Sequence, residues 1–142
     1  MSEAVVDASV AICWFVREAA TEKANGLIAA TTDLVAPSLM LAELANTLWK
    51  KTRRGEIRAD LAEAGLREIR RFVPQIVELP DLIPPALALA GELGHPVYDC
   101  IYLALARRRG APLVTLDQRL AARLAGARYA SDVVLLADWK GQ

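Results

Sequence analysis

Four carboxylates stand in stretches of this sequence that are otherwise hostile to charge. Asp99 is the one charged residue between Val97 and Ala106, among Val, Tyr, Cys, Ile, Leu and Ala. Over residues 39–49 the only polar side chains are Glu43, Asn46 and Thr47, spaced i, i+3, i+4 and so on one helical face. Asp7 closes the apolar run Ala4-Val5-Val6, and Asp117 follows Leu113-Val114-Thr115 by two residues. An isolated ionised carboxylate in an apolar interior is expelled or protonated. Each acid also has a structural reading: a helix cap for Asp117, a turn for Asp7, a solvated stripe for Glu43 and a helix-dipole partner for Asp99. If the four converge, two carboxylates about 5 Å apart at an effective dielectric near 20 repel by roughly 3 kcal/mol. Several such pairs approach the whole stability of a small domain, about 5–15 kcal/mol. A bound cation removes that cost. Oxygen-only ligands favour Mg²⁺ or Mn²⁺, and such sites handle phosphate esters, where the ion activates water and neutralises phosphoryl charge. Zinc and histidine-triad chemistry are poorly supported, because His95 is the only histidine, and Cys13 and Cys100 lie apart in apolar stretches. Both thiols read as buried and reduced.

Side chains so far apart in sequence need a scaffold to bring them together. Short apolar runs at 4–7, 34–36, 76–79, 113–115 and 133–136 read as strands. Between them, helices are expected over about 9–16, 21–31, 39–54, 60–74, 84–93, 97–108 and 117–124. Ser38 and Asp60 are candidate N-caps, Gly55 and Gly110 candidate stops, and Leu61, Leu66, Ile69 and Phe72 the candidate apolar face of the fourth helix. Strands of three to five apolar residues alternating with helices demand crossovers, hence a mostly parallel sheet covered on both faces. In such a sheet ligands bind beyond the carboxyl ends of the strands, the edge at which Asp7 and Asp117 are expected. A length of 142 residues suits one α/β domain over 1–142, and 54% hydrophobic with 24% charged residues excludes a disordered chain or a coiled coil. No apolar run approaches the roughly 18–20 residues of a membrane span, and Glu3 and Asp7 stand where a signal peptide would be basic. A cytoplasmic protein is expected.

These residues resemble the PIN-domain ribonucleases, and most closely the VapC-type toxins of toxin–antitoxin pairs. The likeness runs through Val6-Asp7-Ala8-Ser9, Pro37-Ser38-Leu39 with Glu43 and Asn46, the stretch from Val97-Tyr98-Asp99 to Leu105-Ala106, and Leu113-Val114-Thr115-Leu116-Asp117. Each motif is weak alone; their order and spacing make the set specific. Cys100 departs from the family's usual alanine and touches no expected role. The resemblance implies a three-layer α/β/α sandwich with about five mostly parallel strands, usually a homodimer. It implies that Asp7 and Asp99 are direct ligands of Mg²⁺ or Mn²⁺ and that Glu43 and Asp117 complete the site, partly through water. Ser9, Asn46 and Thr115 would hold those carboxylates in place. The implied activity is an endoribonuclease, the toxin of a type II pair, cleaving RNA phosphodiesters by metal-activated water and covered by a VapB-type antitoxin.

The charge balance, 17 basic against 17 acidic residues, excludes nucleic-acid binding by bulk charge alone. Neutralising the four acids with metal leaves 13 acids against those 17 bases. Lys50, Lys51, Arg53 and Arg54 end one helix, and Arg107, Arg108 and Arg109 end another. These are candidate RNA contacts, or helix-end charges complementing the dipole. Three alternatives stand beside the toxin reading. A PIN-like nuclease of RNA processing or DNA usually has a longer chain with insertions. An aspartyl-phosphatase would carry a second Asp where Ser9 stands. A non-catalytic interaction module would use the acids only as caps.

Overall fold

The computed structural model describes residues 2–30 and 33–140. Five strands, β1 (Glu3–Val6), β2 (Asp33–Pro37), β3 (Gln75–Val77), β4 (Leu113–Thr115) and β5 (Val133–Leu135), form one sheet in the order β3-β2-β1-β4-β5. Every pairing is parallel. Seven α-helices occur among the described residues: α1 (Ala8–Ala11), α2 (Thr21–Ala29), α3 (Leu39–Arg53), α4 (Ala59–Phe72), α5 (Ile83–Leu93), α6 (Val97–Arg109) and α7 (Gln118–Leu124). Successive residues of a strand point to opposite faces, yet Ala4, Val5 and Val6 of β1 and all of β4 are buried. Helices therefore cover the sheet on both sides, as the continuous apolar runs required.

The strand order decides where function sits. From β1 the chain builds outward to β2 and β3, then returns to the other side of β1 for β4 and β5. The reversal lies between β1 and β4, and a doubly wound sheet opens its ligand crevice at the carboxyl edge of such a reversal. Val6 lies opposite Val114, which carries Asp7 and Thr115 to that edge side by side.

Helix α6 is the central element. Its residues Cys100 to Ala106 are all buried, packed against β1, β2, β4 and α5, as expected of a helix apolar on every side. Gly94 ends α5 with φ 63°, and Pro96 caps α6 two residues later. The left-handed conformation of Gly94, which a side chain would strain, gives this short turn between the two helices.

Several sequence expectations change. The helix expected over 9–16 begins at Ala8 and tightens into a 3₁₀ turn at Ile12–Trp14. Ser38 has helical backbone angles and makes no capping bond. Asp60 lies inside the first turn of α4 and pairs with Arg58 at 2.7 Å instead of capping. On α4 the buried face is Ala62, Gly65 and Ile69, whereas Leu61 is 52% and Leu66 36% exposed. Small residues face the core there because Phe15 comes so close to Gly65. Residue 31, expected to end the second helix, lies outside the described residues.

Candidate active site

Asp7 leaves β1 at its carboxyl end and caps α1. Its Oδ1 accepts from the Ser9 hydroxyl at 2.5 Å and the Val10 amide at 3.3 Å, and its Oδ2 from the Thr115 hydroxyl at 2.5 Å. Those hydroxyls are themselves fixed, because Ser9 Oγ accepts from the Leu116 amide at 3.1 Å and Thr115 Oγ1 from the Asp117 amide at 3.0 Å. The ends of β1 and β4 are thus tied together around one carboxylate. Asp117 caps α7 through Oδ1, accepting from the amides of Arg119 and Leu120 at 2.9 and 3.2 Å. Glu43, one turn into α3, accepts a 2.5 Å hydrogen bond on Oε1 from Tyr102 of α6. Asp99, in the first turn of α6, bonds through Oδ2 to His95 Nε2 at 2.7 Å.

All four carboxylates line one cavity of about 360 Å³, together with Ser9, Thr47 and Tyr102. They also sense one another. Burial pushes the Asp7 carboxyl above its usual range, against the hydrogen bonds of Ser9, Thr115 and Val10, and the Asp117 charge adds to the rise. Burial likewise raises Glu43, with further contributions from the charges of Asp7 and Asp99 and opposition from the Tyr102 hydroxyl. Tyr102, only 2% exposed, is pushed up chiefly by burial and then by Glu43. Burial lifts the thiols of Cys13 and Cys100 to about 11, which favours their protonated form.

The donor chemistry fits a hard divalent cation: carboxylates from β1, α3, α6 and the β4–α7 junction share one cavity, and two of them are held above their usual range by burial and mutual repulsion. The fit is not a closed cage. Among the described residues no three His, Cys, Asp or Glu side chains are grouped closely enough to hold an ion unaided. Each carboxylate is engaged by a protein donor on at least one oxygen, so some of the coordination falls to water or substrate.

The expected supporting residues divide. Ser9 and Thr115 do hold Asp7. Asn46 is exposed and does not line the acidic cavity; its neighbour Thr47 does, with its hydroxyl donating to the Glu43 carbonyl at 3.0 Å. Tyr102 and His95 had no role assigned from sequence, yet both bond acids of the cavity. The available signal for His95 was its place four residues before Asp99, whereas Tyr102 offered none because its partner lies on another helix.

The basic clusters are largely committed elsewhere. Lys51 is nearly buried between Glu18 at 2.8 Å and Glu56 at 3.1 Å, and Arg54 reaches Glu56 at 3.9 Å. The Arg53 guanidinium lies 5.1 Å from the Trp49 ring, and Lys50 is exposed. Arg107 pairs with Asp132 at 2.9 Å, Arg108 donates to the Asp81 carbonyl at 2.9 Å, and Arg109 reaches Glu3 and Gln75 at 3.0 Å. Glu3 opens β1 and Gln75 opens β3, so Arg109 lies at the amino edge of the sheet, opposite the acids. The RNA role expected of Arg109 and Lys51 is therefore not supported. Arg119 and Arg123 of α7, unremarked in the sequence, border Asp99 and Asp117 instead.

Comparison with known proteins places the sequence and the fold among relatives. Residues 4–126 match the family model of the PIN domain, which takes in the four acids and stops before β5. The chain is 38% identical over 119 residues to Ribonuclease VapC3 of Pyrobaculum aerophilum, covering 82% of this chain and 91% of that one. The crystal structure of PAE2754 from Pyrobaculum aerophilum superposes with a TM-score of 0.72 at 25% identity, over 96% of this chain and 85% of its own. A toxin–antitoxin complex from Klebsiella pneumoniae shares the fold, with a TM-score of 0.67 at 18% identity over 94% and 97% of the two chains.

Proposed function

Because this chain belongs to the PIN-domain family, among its VapC-type ribonucleases, we propose that it is a Mg²⁺- or Mn²⁺-dependent endoribonuclease and the toxin of a type II toxin–antitoxin pair. One observation carries the reading: Asp7, Glu43, Asp99 and Asp117, drawn from four separate segments, line a single cavity at the strand-order reversal. Family membership adds that divalent-metal dependence is the general habit of such nucleases, and among described residues no helix is long and apolar enough to cross a membrane.

Asp7 and Asp99 are the proposed direct ligands, and Glu43 and Asp117 complete the set. The chemistry such an ion supplies when bound is neutralisation of phosphoryl charge and activation of water. The chain's own groups do the positioning. Ser9 and Thr115 fix the rotamer of Asp7, Tyr102 that of Glu43, and His95 that of Asp99. The amides opening α7 fix Asp117 through its Oδ1. Held in this way, the acids present oxygens without rearrangement when the phosphodiester arrives. A VapB-type antitoxin, a homodimeric state, a single PIN unit over 1–142 and work in the cytoplasm complete the proposal.

The test is cleavage of linear and circular single-stranded RNA in Mg²⁺ or Mn²⁺ against an EDTA control, with Asp99→Asn alongside. Metal-dependent opening of the circle, lost in the variant, is expected. Cleavage that survives both EDTA and the substitution overturns the mechanism. Light scattering of the purified chain decides the dimer.

A further inference from the structure

We propose that Arg119 and Arg123 form a phosphate subsite that holds the RNA backbone beside the bond to be cut, an inference that rests on the nuclease reading above. A second cavity, of about 720 Å³, shares Asp99 and Asp117 with the acidic one and is bordered by Arg119, Arg123 and the turn at His95 and Pro96. The two arginines are four residues apart on α7, hence on one face and about 6 Å from each other along the axis. Among the described residues neither guanidinium has a hydrogen bond or ion pair, although two carboxylates border the same space. By contrast Arg107, Arg109 and Arg128 are each spent on an acid of the chain.

An acid-lined cavity alone repels a polyanion, so binding RNA there requires cations at the rim as well as an ion at the centre. A guanidinium offers a fork of donors matched to phosphate oxygens. Because α7 begins right after Asp117 and runs on from it, Arg119 is the nearer anchor and Arg123 the one a turn further out, an order that suits successive phosphates of one strand. Among the described residues His95, the one aromatic ring bordering this cavity, is committed to Asp99, which leaves the two guanidiniums as the cavity's free cations for a phosphate. The subsite positions the backbone without reading its sequence. Five of the eight lining residues, His95, Asp99, Asp117, Arg119 and Arg123, carry polar or charged side chains, which favours a nucleic-acid strand over an apolar protein segment.

The experiment measures cleavage of fluorogenic single-stranded RNAs of unrelated sequence in Mn²⁺, over a range of NaCl, by wild type and the double variant R119Q/R123Q. Both side chains are exposed, so folding is not at issue. The expected result is KM raised about tenfold or more for every RNA, kcat within about twofold, and a log–log salt slope of kcat/KM reduced by about 1.4, or 0.7 per single-strand phosphate. The double variant R119K/R123K keeps the salt slope. Wild-type KM and slope in R119Q/R123Q overturn the subsite, whatever the variant does to antitoxin binding, and so does a loss confined to kcat. If wild type itself fails to cleave in Mg²⁺ or Mn²⁺, the nuclease reading fails and the subsite with it, an outcome the wild-type arm alone identifies.

Discussion

Asp7 is a half-buried carboxylate with three protein donors, and the balance of those forces predicts how it responds to substitution. Burial outweighs the hydrogen bonds, because the group is held above its usual range. Replacing it with a neutral amide of the same shape therefore removes a cost from the metal-free protein. We expect Asp7→Asn and Asp99→Asn to lower metal-dependent cleavage by at least about 100-fold, since even indirect partners of a metal site are worth about 10–100-fold. We further expect Asp7→Asn to melt in EDTA no lower than wild type; a clear drop would contradict the strained-carboxylate account. Tyr102 gives a second case. Its hydroxyl donates to Glu43 across 59 residues of sequence, so Tyr102→Phe should lower activity about 10–100-fold and raise the Mn²⁺ concentration needed for half-maximal rate. Unchanged Mn²⁺ dependence would show that the bond is only structural. Asp7 and Asp117 were legible in the sequence because strand ends in an α/β sheet are where chemistry collects. Tyr102 was not, since a tyrosine in an apolar helix reads as core until its partner is placed. Asn46 and Thr47 show the finer limit: both were on the polar face, and only the packed helix decides which of two adjacent residues reaches the cavity.

At the scale of elements, the misplaced arginines follow from topology. A helix linking two parallel strands runs back against them, so α6 starts at the acid edge with Asp99 and ends at the opposite edge with Arg109. That consequence was available from the βαβ pattern, but charge clustering alone does not reveal it. The exposed Leu61 and Leu66 have a different cause. The pattern of α4 allowed two faces, and the choice was made by the aromatic layer beneath it, where Trp14 stacks on Phe72 at 5.4 Å and Phe15 meets the same ring edge-on. A Cβ at Gly65 would come within 2.9 Å of Phe15 Cδ1 and 3.0 Å of its Cγ. Helix propensity favours Gly65→Ala by about 1 kcal/mol, while overpacking costs about 1–3 kcal/mol. The second effect should win, because the contact is with Cδ1 and Cγ at the root of the ring and not with its far end. We expect Gly65→Ala to lower the melting temperature by a few degrees while cleavage well below that temperature stays normal. A higher melting temperature would mean that Phe15 yields easily.

For the whole molecule, the acids couple stability to pH and to metal. Asp7 and Glu43 are held above their ordinary values of 3.8 and 4.5. Between those values and the raised ones the native chain binds more protons than the unfolded chain, so stability falls as pH rises through that window. Glu92 acts in the opposite sense: its hydrogen bonds from Arg128 and Tyr129 hold it below its ordinary value, so its contribution is lost as pH falls. That pair is exposed and screened by salt, which leaves the buried acids dominant at moderate ionic strength. In EDTA the melting temperature of wild type should therefore rise as pH is lowered through the range just above those ordinary values, and more steeply than that of Asp7→Asn, which has lost one of the two groups. A cation binds the ionised carboxylates and competes with protons for them, so Mn²⁺ should raise the wild-type melting temperature less as pH is lowered toward the ordinary carboxylate range. Parallel pH profiles for wild type and Asp7→Asn, or a Mn²⁺ shift independent of pH, would mean that the four carboxylates do not act as one charged cluster, and the convergence seen in the fold would then have no electrostatic consequence.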